Sequence, residues 1–185
     1  MRIKNEEIYP DCLIITRTVE VGGLTKSEIL QKFQQYSILI NEYGERLLAA
    51  DKFTISDTKY SLQTVELTVG NLGFPDGATT IQIFERASNL GLGLCPLELG
   101  PHLRLEYLDQ PEGYSGNRLQ RQQAPSGSIT IASKSLSEDD AFPKGFYLRR
   151  INEVLWLRGY CADHLHVWNH DDHFIFCQTK RNGAV

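Results

Sequence analysis

The sequence predicts an α+β fold, in which a helical N-terminal part with one or two strands packs on a mainly antiparallel C-terminal β-sheet. Three observations carry that expectation. Two capping boxes, Thr25 with Glu28 and Thr79 with Gln82, each open a run of apolar residues at helical spacing. From "HLRLEY" (102–107) onward no helical pattern persists, because apolar and polar residues alternate there. Beyond residue 128, four short β-rich runs follow, "ITIAS", "FYLRRI", "VLWLRGY" and "HFIFCQT". The chain accordingly divides into an α/β part over 1–97 and a β-rich part over 98–185, which could equally share one core.

Taken in order, "CLIITRTVEV" (12–21) reads as a strand that ends at Gly22-Gly23. The helix opened by Thr25 carries Ile29, Leu30 and Phe33 on one side. "YSILI" reads as a connector, and Asn41 as the cap of a second short helix through Leu47 and Leu48, with one long helix over both as the close alternative. "FTIS" is β-rich, and "QTVELTV" (63–69) alternates Val65, Leu67 and Val69 against Thr64, Glu66 and Thr68, as a strand does. The helix "TIQIFERASNL" presents an apolar stripe of Ile81, Phe84 and Leu90, with Ile83 and Ala87 beside it, and ends at Gly91. The polar stretch over 109–128, rich in Gly, Pro and Gln, reads as a long exposed loop.

Composition excludes several classes of function. A formal net charge of -4 over 185 residues leaves no global positive field to gather nucleic acid, which is not expected as a partner on that ground. No apolar run approaches the roughly 20 residues of a membrane helix, and the start lacks the apolar core of an export signal. The four cysteines, Cys12, Cys95, Cys161 and Cys177, are scattered with no CxxC pair, the pattern of reduced thiols in the cytoplasm.

The phrases "LGLGLCPLELGPHLRLEYLDQPEG" and "FPKGFYLRRINEVLWLRGY" resemble an uncharacterised family of small bacterial proteins, and the resemblance runs from about "TKSEIL" to the last strand. Members of that family often receive an automatic helicase label. The resemblance implies no established activity, ligand or catalytic residue. Nor do the residues support the label, since a helicase needs the phosphate cradle G-x-x-x-x-G-K-[ST] and this chain has no Gly-Lys pair.

Two surfaces are candidates for function. "FYLRRINEVLWLRGY" reads as a hairpin about Asn152-Glu153, pairing Tyr147 with Arg158 and Arg149 with Trp156 on one face. Alternating guanidinium and aromatic groups can stack a planar ring and grip a carboxylate or phosphate, so these four form the candidate binding residues for a small molecule or protein partner. The second candidate is "CADHLHVWNHDDHF" (161–174). Paired as a hairpin with Trp168 opposite His173, it would put Leu165, Val167, Phe174 and Phe176 in the core and His164, His166 and His173 on one face. Imidazoles so placed suit zinc, although no cofactor is otherwise expected. No G-x-S-x-G elbow, HExxH helix or cysteine-histidine nucleophile stands out. The leading expectation is therefore a non-catalytic cytoplasmic binding or interaction protein, with a metal-dependent hydrolase built on the histidines as the alternative. Exposed strand edges would allow a homodimer.

Overall fold

The computed structural model describes residues 7–113 and 124–178. In chain order the elements are β1 (Ile15–Val21), α1 (Lys26–Gln35), β2 (Leu39–Ile40), α2 (Glu42–Ala49), β3 (Tyr60–Thr68), β4 (Ala78–Thr79), α3 (Thr80–Asn89), β5 (Leu92–Gly93), α4 (Leu99–Glu106), β6 (Ile129–Ile131), β7 (Gly145–Ile151), β8 (Val154–Tyr160), β9 (Val167–Trp168) and β10 (His173–Gln178). Both capping boxes form, and the Asn41 side chain caps α2, so "YSILI" separates two helices as a short strand.

The sheet is mixed rather than mainly antiparallel. Its order is β1-β3-β10-β6-β7-β8-β2, with β5 also pairing β10. β10 runs parallel to β6, and β2 runs parallel to β8, while the remaining pairs are antiparallel. Strands from residues 1–97 and from 98–185 thus share one sheet. Adjacent hairpins in sequence suggested an antiparallel sheet. The two parallel pairs join strands far apart along the chain, which local patterning does not report.

Each face of the sheet has its own core. Val19, Val21, Ile129, Ile131, Phe146, Leu148, Leu157 and Ile175 pack beneath α1, α2 and α4 through Ile29, Phe33, Leu47, Leu99 and Leu103. On the opposite face Val65, Leu67, Ala132, Phe174 and Phe176 meet Ile83 and Ala87 of α3 and Trp168 of β9. The buried stripe of α3 is therefore centred on Ile83 and Ala87, while Ile81, expected within it, is 58% exposed.

The run "HLRLEY" is helical, as the second half of α4, and not a strand. Its alternation does not separate solvent from core, because His102 and Arg104 are as buried as Leu103. The His102 ring accepts a hydrogen bond from the Gly22 N–H at Nε2 (3.0 Å), and its Nδ1 faces the Glu98 carbonyl at 2.8 Å, which fixes Nδ1 as the protonated nitrogen. Pro101 sits in the first turn of the helix, where its missing N–H has no intrahelical partner to lose. "FTIS" forms no strand. Phe53 instead inserts as a core residue, edge-on to Phe146 at 6.1 Å. In the stretch read as an exposed loop, 114–123 lie outside the described residues, but the flanking Gln110 and Ser128 are buried.

The docking of α2 on β8 needs a glycine at 159. A Cβ there would lie 2.6 Å from the Tyr43 carbonyl carbon and 2.7 Å from the Gly44 nitrogen. Asn41 completes the joint, as its Oδ1 accepts from both the Gly44 N–H (2.9 Å) and the Gly159 N–H (2.8 Å), and its Nδ2 donates to the Gly159 carbonyl (3.0 Å). Gly159→Ala is expected to lower stability by about 2–3 kcal/mol, since backbone and not a movable side chain blocks the methyl. A urea denaturation midpoint within error of wild type would contradict this packing.

Candidate functional site

The hairpin of β7 and β8 forms in the register read from the sequence, with Tyr147 opposite Arg158, Arg149 opposite Trp156, and Leu148 opposite Leu157. Asn152 and Glu153 adopt φ of 51° and 63°, the left-handed pair that a two-residue hairpin turn requires. Leu148 and Leu157 fall into the core beneath the helices, so Tyr147, Arg149, Trp156 and Arg158 share the opposite face. The Arg158 guanidinium lies 5.1 Å from the Trp156 ring centre and 5.9 Å from that of Tyr147. Arg158 makes no ion pair among the described residues, and its Nε is buried without a hydrogen-bond partner. Burial pulls the Arg149 guanidinium below its ordinary range, and the neighbouring charge of Arg158 pulls in the same direction. The two cations thus crowd each other on one face.

This strip runs into a cavity of about 200 Å³. Tyr147 belongs to both. Tyr160 follows Arg158 by two residues on the same face of β8, Thr130 lies opposite Tyr147 on β6, and both line the cavity with Ser128. Trp168 and His166 form another part of the wall, with Pro125 and Cys161. The aromatic groups make a chain of ring contacts: Tyr147 to Tyr160, tilted, at 6.5 Å, then Tyr160 to Trp168 at 5.5 Å and His166 to Trp168 at 4.8 Å, both edge-on. Trp168 is held by β9 pairing with β4 and by an Nε1–H bond to Thr80 Oγ1 (2.9 Å). Burial lowers the His166 pKa, with Asp163 opposing, and raises both tyrosine hydroxyls, so the cavity favours neutral rings.

The histidine-rich stretch does not fold as the expected hairpin. β9 pairs with β4 across the chain, not with β10, and β10 lies between β3 and β6. Leu165 and Val167, expected in the core, are 70% and 50% exposed, whereas Phe174 and Phe176 are buried as expected. The three histidines part company. His164 lies in an exposed turn, His166 lies against Trp168, and the His173 Nδ1 lies 2.8 Å from Glu66 Oε1. Among the described residues no group of three or more His, Cys, Asp or Glu side chains is placed to hold a metal ion. The zinc ligand set His164, His166 and His173 is therefore not assembled, because Val167–Trp168 is drawn away by a strand some ninety positions earlier in the chain.

His173 belongs instead to a charge cluster. Glu66, 6% exposed, accepts from Arg17 Nη1 at 2.7 Å through Oε2 and pairs with His173 through Oε1, while Tyr107 stacks under Arg17 at 4.4 Å. Burial pushes the Glu66 carboxyl up, but hydrogen bonds from His173 and Arg17 outweigh it and hold the pKa below the usual range. The same bond, donated by His173 to Glu66, raises the His173 imidazole against its burial.

No family model matches the chain, and neither a curated protein nor a solved structure matches it. The cavity and the arginine strip therefore carry the functional reading by themselves. Among the described residues no helix is long and apolar enough to cross a membrane. Sequence reasoning named Tyr147 and His166 separately and missed Tyr160, Thr130 and Ser128. Tyr160 was within reach, since the alternation through Trp156 and Arg158 places it next on the same face. Thr130 and Ser128 depend on the pairing of β6 with β7, which nothing local announces.

Proposed function

We propose that the chain is a binding protein for a small planar anion, a single ring bearing a carboxylate or phosphate. The observation that carries this reading is the double role of Tyr147, which lines the cavity and also lies beneath the Arg158 guanidinium. A ring entering the cavity would meet Tyr160 and Trp168, and its anionic group, turned toward Tyr147, would face the Arg158 cation beside that ring. Size supports one ring. Cavities of about 150 Å³ accommodate benzene, so about 200 Å³ leaves room for small substituents. The uncollected histidines take away the ligand set on which a metal-dependent hydrolase would depend. Four free cysteines fit a reducing compartment such as the cytoplasm.

Isothermal titration with 4-hydroxybenzoate, phenyl phosphate and uncharged 4-hydroxybenzyl alcohol tests the reading. One of the two anions is expected to bind at least about tenfold more tightly than the alcohol, the worth of one charge-assisted hydrogen bond. Arg158→Ala should abolish that preference while leaving the alcohol's affinity alone. Equal affinities for all three, or a preference that survives Arg158→Ala, would refute it.

A further inference from the structure

Cys95 and Cys177 are 82 positions apart in the chain, yet their sulfurs lie 2.9 Å apart. Both are free thiols and nearly buried, at 3% and 8% exposure. Their approach is built by the sheet. Cys177 in β10 pairs with Gly93 in β5, and two residues beyond Gly93 the Cys95 N–H donates to the Ala132 carbonyl at 2.7 Å, alongside a bridge to Ser133. The backbones on either side are thereby fixed before any bond between the sulfurs exists. A disulfide needs its sulfurs at about 2.05 Å, so closure here requires the two to approach by about 0.9 Å, within reach of side-chain rotation.

We infer that Cys95 and Cys177 form a dithiol centre that a small hydroperoxide converts reversibly to a disulfide. Cys177, the more accessible of the two, reacts first. Its thiolate attacks one peroxide oxygen, the O–O bond breaks, and the departing hydroxide takes a proton to leave as water, which leaves a sulfenic acid on Cys177. The Cys95 sulfur then attacks that sulfur. The S–S bond forms as the S–O bond breaks, the thiol proton and the departing hydroxide make a second water, and the two thiols together have given two electrons to the peroxide. An external dithiol reverses the step by thiol–disulfide exchange, giving up two electrons and two protons and becoming a disulfide itself. The hydrogen bond shared by the two sulfurs favours the thiolate on Cys177, while burial raises the Cys95 thiol, which accords with this order of events. Burial also restricts the oxidant to a small neutral molecule. Cys161 is exposed and has no thiol neighbour among the described residues, so it serves as an internal control.

The folded chain is treated with graded hydrogen peroxide, quenched, alkylated after unfolding, and mapped by mass spectrometry. The expected product is a peptide pair joined through Cys95 and Cys177, lighter by two hydrogens and released by dithiothreitol. In Cys95→Ser, peroxide should leave a sulfenic acid on Cys177 that dimedone traps. The proposal fails if both thiols are recovered unmodified at a dose that oxidises Cys161. It fails equally if Cys177 proceeds to sulfinic acid in the wild-type chain without forming the link. The wild-type map decides the question even where the serine variant folds poorly.

Discussion

Arg104→Ala is expected to remove about 3–5 kcal/mol of stability. Arg104 is 0% exposed and makes no ion pair among the described residues. A buried cation of this kind is costly, and burial accordingly lowers its pKa to about 10. What offsets the cost is a set of neutral acceptors. Nη1 donates to Gln110 Oε1 at 2.6 Å and to the Trp156 carbonyl at 3.4 Å, and Nη2 donates to the Tyr107 carbonyl. Gln110 in turn donates to the carbonyls of Gly127 (3.0 Å) and Leu148 (3.2 Å). The guanidinium thus ties α4 to β7, β8 and the segment that leads to the cavity. Truncation takes a donor from the buried Gln110 Oε1 and from the part-buried Trp156 and Tyr107 carbonyls, and opens the space of the side-chain stem. Urea denaturation of Arg104→Ala, Gln110→Ala and the double variant checks both the loss and the coupling, which should be about 1–2 kcal/mol. A loss below about 1 kcal/mol for Arg104→Ala would show that the network does not hold these elements together.

Asp172→Asn is expected to raise stability at pH 8 by about 2 kcal/mol and to leave it nearly unchanged at pH 4. Asp172 is 7% exposed, and its Oδ2 accepts from the Asn169 N–H at 2.8 Å. Burial pushes its carboxyl from 3.8 up to about 6, against the Asn169 hydrogen bond and with the help of Asp171. The folded chain therefore holds this proton more tightly than the unfolded chain does. Stability falls as pH rises from 3.8 to about 6, and the full deficit persists above that. Asparagine keeps an oxygen for the Asn169 N–H, gives up the second acceptor that serves the Ala124 N–H, and carries no charge at any pH. His173 adds a second alkaline decline, because its raised pKa contributes stability that is complete below 6.5 and lost as pH rises through the folded value. Glu66 acts on the acid side, since its lowered pKa gives stability present above 4.5 and lost as pH falls through the folded value. Unfolding midpoints from pH 4 to 9 should show Asp172→Asn flattening the curve between pH 4 and 6. Parallel wild-type and variant curves would refute the assignment.

The sequence made the helix caps and the β7–β8 hairpin legible because both are local. Thr25 and Thr79 meet partners three residues away, and the pairing of Tyr147 with Arg158 follows from counting outward from Asn152-Glu153. It misled where polar residues are satisfied indoors. His102 and Arg104 read as a solvent face and are instead hydrogen-bonded inside, which turned a helix into an apparent strand. The histidine stretch misled for a different reason. Its nearest β-rich neighbour in sequence offers itself as a partner, while the real partner of Trp168 is Ala78. Of the cavity wall, Tyr147 and His166 were visible as two unrelated fragments. Their convergence depends on long-range pairing among β4, β6, β7 and β9.

The position of β10 bears on how the chain is made. Take β10 away and the sheet order separates into β1-β3 on one side and β6-β7-β8-β2 on the other, with Phe174, Ile175 and Phe176 missing from both cores. A ribosome delivers β1 and β3 more than a hundred residues before β10. Throughout that interval the β3 edge that β10 will occupy is an unpaired strand bordering apolar surface, the state most open to aggregation. The two half-sheets can be joined only after residue 178 has emerged, so joining them is a late step of high contact order, slow compared with the helices that wait on either side.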